Sequence, residues 1–204
     1  MIRLMCLFLL SLSLVATTVD PIFAQPFRRG SRSGHSQMID LMDTRNFRLI
    51  DYRRMFMQGQ TPSSEDLVGN WRGVNKGIVA LVGYKQFVKE ITPVNCELKG
   101  DNIMVHQVSN DLLRCCGWQA KPDPGSWDGL ERRGKFAIQS AGGIGAFKHG
   151  VVFNYRDGDN RRGDPIRLIV DRVVKIDDNH LLGRAVARIG PFRIPLAYFM
   201  LERI

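Results

Sequence analysis

From residue 94 to the end of the chain, apolar and polar residues alternate in short runs. Val94, Cys96 and Leu98 alternate with Asn95, Glu97 and Lys99, and KGDN at 99–102 supplies turn chemistry before IMVHQV. Further strands are predicted over 134–140, 150–156, 166–176, 181–189 and 194–204. Their separators, DGDNRRGDP, DDNH and GPF, are rich in turn formers. Short strands joined by tight turns, with no helices between them, predict an antiparallel meander and hence a barrel or a sandwich.

Upstream the period changes. TPSSED at 61–66 combines a cap, a proline and early acids, which predicts a short helix delivering the chain to Trp71. Between 78 and 90, Ile78, Leu81, Val82 and Phe87 fit a helical period loosely. Met38, Leu41, Met42, Leu49, Tyr52 and Phe56 form a helical stripe broken near Arg45 and Asn46, and QPFRRGSRSGHSQ at 25–37 reads as a disordered leader. Residues 111–118 predict a helical turn and KPDPGSWDG at 121–129 a loop.

The first residues carry one early arginine, an apolar run from Leu4 to Val15 and a small-residue exit near Ala24. That is the anatomy of a secretory signal peptide, and the run is too short to span a bilayer. The expected organisation is a signal peptide at 1–24, an Arg-rich, partly disordered or helical leader at 25–60, and a barrel domain at 61–204. The protein is accordingly expected to be exported, periplasmic or secreted, and soluble once processed.

The formal charge is +9. Export, with acids interspersed among the bases, sets nucleic acid aside and leaves an anionic membrane or envelope polymer as the charge-complementary partner. Seven arginines against three aspartates fall between residues 27 and 54. That density fits a basic amphipathic helix on a membrane surface, a helix packed on the domain, or a partly ordered tail. Cys96 and the adjacent Cys115 and Cys116 read as small buried hydrophobes, with or without one disulfide from Cys96 to either of the pair.

Period-two counting assigns candidate interior residues. Over 166–176 the more apolar face holds Leu168, Val170, Arg172, Val174 and Ile176, which strands Arg172 inside. Over 181–189 the inward set is small: Leu181, Gly183, Ala185, Ala187 and Ile189. Small residues leave volume, and a buried arginine needs a partner. Together with Phe136, Ile138, Val151, Phe153 and Tyr155 they describe an apolar pocket with an anionic requirement. The alternatives are that Arg172 pairs with an internal acid such as Glu202, or that a bulge turns it to solvent.

LVGNWRGVNKG at 67–77 contains a GxWxG motif at Gly69, Trp71 and Gly73, and the last two strands read as a closing pair. In these features the chain resembles the GxWxG domain family of unknown function with its C-terminal partner domain, a lipocalin- and nitrobindin-like group of β-barrels. The resemblance implies that Trp71 closes the barrel floor with Arg203 over its ring, and that the flanking glycines admit close neighbours. Nitrobindin-like relatives bind haem through a histidine. None of His35, His106, His149 and His180 matches a ligand motif here, and His180 reads as an exposed turn residue.

Glycines 142, 143 and 145 lack the continuation of a phosphate loop, and Lys148 and His149 follow them at a predicted barrel mouth. No catalytic set, metal cluster or cofactor motif stands out. The expected fold is mainly β, an antiparallel meander closing into a lipocalin-like barrel, with an N-terminal helical segment and one or two short helices. The expected function is a non-enzymatic binding protein for a small hydrophobic or amphiphilic, anion-bearing ligand, read by Arg172, Phe153, Tyr155, Leu168, Val170 and Ala185. The rival expectation is an interaction module with a filled barrel and a basic segment on a membrane or envelope polymer.

Overall fold

A computed structural model describes residues 49–77, 80, 85–105, 130–141 and 149–204. The expectations for the signal peptide, residues 25–48, the helical turn at 111–118, the loop at 121–129, Cys115, Cys116, glycines 142, 143 and 145, Lys148, His35 and His106 lie outside these residues.

Helix α1 (Leu49–Gln58) and the single turn α2 (Ser64–Leu67) precede eight strands: β1 (Gly69–Gly77), β2 (Gln86–Val94), β3 (Glu97–Met104), β4 (Arg132–Ser140), β5 (Val151–Asn154), β6 (Ile169–Lys175), β7 (His180–Ile189) and β8 (Phe192–Arg203). Each strand pairs antiparallel with the next, and β1 pairs with β8 to close a barrel. Closure removes the unpaired edges that an open meander would expose.

Local chemistry explains the connections. Ser63 caps α2 in a reciprocal box: the Asp66 amide donates to Ser63 Oγ at 3.1 Å, and the Ser63 amide donates to Asp66 Oδ2 at 2.8 Å. Hydrogen bonds from Lys175 and Ser63 hold the Asp66 carboxyl down at about 2. The β2–β3 turn sits at Asn95 and Cys96, with φ of 50° and 64°, so KGDN at 99–102 lies inside β3 rather than forming the turn. Left-handed φ at both central residues matches the twist of the flanking strands, and asparagine tolerates it readily. Cys96 is exposed there with a free thiol. Residues 86–90 are strand, not helix, because Phe87, Lys89 and Ile91 follow a period of two.

Two apolar zones form. Inside the barrel lie Trp71, Phe87, Ile91, Phe136, Phe153, Val173, Leu181, Phe199 and Leu201. Outside, α1 lays Tyr52 and Phe56 against Val74, Val174, Leu182, Tyr198 and Met200. Tyr52 stacks on Tyr198 at 5.8 Å, and His149 Nε2 lies 2.9 Å from the Phe56 carbonyl oxygen.

This covered outer face corrects the facing expected for β6. Ile169, Asp171 and Val173 point inward, while Val170, Arg172 and Val174 point outward and Leu168, on a 3-10 turn (Pro165–Leu168), is exposed. Arg172 lies opposite Val152 and Arg184 on the neighbouring strands. The more apolar face is the outer one because α1 covers it, so counting apolar residues selects the wrong side. Glu202, the acid considered as a partner for Arg172, forms a buried ion pair with Arg72 instead.

Three inward glycines shape the interior. Gly73 lies opposite Phe87, Gly100 opposite Phe136, and Gly183 opposite Phe199. A Cβ at these glycines would sit 2.3, 2.5 and 2.0 Å from the facing ring. Each glycine therefore seats the phenylalanine of its cross-strand partner, which is how a barrel accommodates large rings at its narrow waist. The volume expected at Gly183 is filled by Phe199, and Gly73 admits a ring rather than neighbouring backbone.

Candidate functional site

One end of the barrel is sealed from the sequence upward. Trp71 is buried, and its Nε1 donates to the Leu67 carbonyl at 2.8 Å. The Arg203 guanidinium lies 4.4 Å from the indole ring centroid and donates to the carbonyls of Val68 at 2.9 Å and Asp66 at 2.6 Å. Tryptophan and arginine thus satisfy three carbonyls at the C-terminal end of α2, groups that a helix leaves without internal partners. Gly69, with φ of +125°, starts β1 beside Arg203. Trp71 borders no part of the barrel's large cavity.

That cavity, about 900 Å³, lies toward the other end and, among the described residues, is open there. Its walls include Met104, Ile166, Ile169, Ala185 and Leu196, and its rim mixes Arg133, Lys135 and Arg161 with Glu131, Asp159 and Asp164. Arg132 pairs with Glu90 and Asp101, and Arg133 with Glu131, so acids offset much of the basic charge on the rim.

The cavity floor is polar. Lys89 Nζ donates to Asn102 Oδ1 at 2.6 Å and to Tyr155 OH at 2.7 Å, and lies 3.3 Å from Asp171 Oδ2. Tyr155 OH donates to the same Asp171 oxygen at 2.7 Å and accepts from Asn102 Nδ2 at 3.1 Å. Asn102 reaches Tyr155 across β4 at Gly134, where φ is +68° and a Cβ would crowd Ile166, Asn102 and Tyr155. Only glycine serves there.

Around Lys89 Nζ stand the rings of Phe87, Phe136, Phe153, Tyr155 and Phe199, at 4.8–5.5 Å. Three of them are the rings seated on glycine. An ammonium deprived of water is attracted to ring faces, so the cage and Asp171 together compensate its burial. Burial still lowers the proton affinity of Lys89, with Asp171 opposing. Burial and then the Asp171 charge raise that of Tyr155, so its hydroxyl stays protonated.

Of the residues expected to read a ligand, Tyr155 and Ala185 border the cavity, and Phe153 lies in the core beneath it. Leu168, Val170 and Arg172 do not border it. Neither described histidine does either: His149 contacts α1, and His180, expected to be exposed, is buried with Nδ1 2.8 Å from Asp177 Oδ1. Sequence reasoning passed over Lys89, Asn102 and Asp171. The signal was present in QFVKEI, where Lys89 shares the Phe87 and Ile91 face, as it was for Asp171 between Ile169 and Val173.

No protein-family model matches the chain, and no curated protein does.

Proposed function

We propose that the protein is an exported, non-enzymatic binding protein of lipocalin-like build, which holds a small apolar molecule with an uncharged polar end inside its barrel. The carrying observation is the cavity of about 900 Å³, apolar in its walls and floored by Lys89, Asn102, Tyr155 and Asp171. Ligand pockets are typically apolar with a few convergent polar groups, in the range of about 300–1,000 Å³. The paired charges of Lys89 and Asp171 favour a hydroxyl or carbonyl over a carboxylate, which would meet Asp171 as a like charge. The anionic requirement assigned to Arg172 is therefore dropped.

Ala185→Trp tests this reading, because the indole would project from the cavity wall into its space. A solvatochromic fluorescent amphiphile is expected to brighten on addition to the wild-type chain and to lose at least about tenfold in affinity for the variant. Equal binding by the folded variant would place the amphiphile elsewhere and reject the container.

A further inference from the structure

We propose that Lys89 anchors the ligand covalently, its amine condensing with an apolar aldehyde to form an imine on the cavity floor. This rests on the container reading and names its ligand class. Lys89 borders the cavity, and the rings at 4.8–5.5 Å around its Nζ leave little room for a second carbon on the carbonyl. The same rings present apolar surface to the imine carbon, and an apolar tail filling the cavity would displace the water that hydrolyses it.

The neighbours of Nζ supply each proton transfer. Asp171 takes a proton from the Lys89 ammonium, directly over 3.3 Å or through Tyr155 OH, which lies 2.7 Å from both Nζ and Asp171 Oδ2. The freed lone pair forms the C–N bond as the carbonyl π pair moves to oxygen, and a proton passes from nitrogen to that oxygen. Asp171 then returns its proton to the hydroxyl. The C–O bond breaks, water leaves, and nitrogen completes the C=N bond. The balance is one aldehyde and one ammonium converted to one protonated imine and one water, with no change of oxidation state.

The resulting cation faces the Asp171 carboxylate, and Asn102, 3.1 Å from Tyr155 OH, keeps the phenol in line. Burial also leaves the Lys89 amine easier to deprotonate than a solvent-exposed lysine. The tail would run along Ile166, Ile169, Ala185 and Leu196 toward the opening.

The experiment treats the full chain with decanal near neutral pH, reduces it with sodium cyanoborohydride, and maps adducts by peptide mass. The expected result is a reduced alkyl group on Lys89 in at least about tenfold excess over any other lysine. Excess decanol, which cannot condense, should suppress labelling of Lys89 while leaving exposed lysines as they were. Asp171→Asn should slow labelling of Lys89 by about a hundredfold, a value typical of a lost acid–base group. If decanal and decanol both displace the fluorescent amphiphile but adducts are absent from Lys89 or spread evenly over the lysines, the imine is rejected and the container stands. If neither displaces it, the container reading falls and takes this proposal with it.

Discussion

Trp71→Ala is expected to cost the fold about 3–5 kcal/mol, the usual range for truncating a buried tryptophan, while leaving uptake by the cavity unchanged. Against a typical total stability of about 5–15 kcal/mol, that loss is large. Trp71 is 1% exposed, holds the Leu67 carbonyl and carries the Arg203 guanidinium on its ring, so its removal opens a void and releases the closure between α2 and β8. It is remote from the ligand space because it does not border the cavity. Chemical denaturation gives the stability, and amphiphile titration below the unfolding transition gives the affinity. A stable variant with lost binding would make Trp71 a ligand contact instead of a plug.

The second large effect concerns Lys89 and Asp171. Lys89→Met is expected to destabilise by about 3–5 kcal/mol, since it leaves the Asp171 charge buried without its cation. Asp171→Asn strands the Lys89 charge in the same way but should cost less than Lys89→Met, because Tyr155 and Lys89 retain a polar oxygen to contact. The double variant should fall short of the summed single costs by about 0.5–3 kcal/mol, the signature of residues that share one network.

Proton linkage gives the pair a pH signature. Burial lowers the Lys89 pKa, so the unfolded chain binds its proton more tightly than the folded one does, and stability rises with pH toward the ordinary lysine value of about 10.4. Burial raises Tyr52 and Tyr155, so the folded chain retains protons that the unfolded chain loses, and stability falls above about 10. In Lys89→Met the rising limb should flatten and the fall should persist. Thermal melts across alkaline pH would show both, and an unchanged rising limb would detach it from Lys89.

Much of the strand order was legible from the turn formers between strands, and alternation survives where each face meets a distinct environment, as at the start of β4. The sealed end was expected only through the resemblance, which put Arg203 over Trp71, and the two are direct partners across β1 and β8. The phase of β6 was not legible. Its outer Val170 and Val174 look like core residues because α1 and neighbouring strands bury that side, while its inner Asp171 looks like surface because its partner lies on β2, far away in sequence. The turn at Asn95 and Cys96 was hidden for a local reason. Its left-handed backbone is carried without glycine, whereas Gly100 nearby exists to seat Phe136.

The central claim is that the open end of the barrel is a hollow, apolar container above a polar floor. Calorimetric titration of the full chain with straight-chain primary alcohols of increasing length tests it most directly. Affinity should rise by up to about 0.8 kcal/mol per methylene until the tail outgrows the cavity, then level off, and the whole series should weaken in Ala185→Trp. An absence of binding at every length, or a series that Ala185→Trp leaves unchanged, would contradict the account.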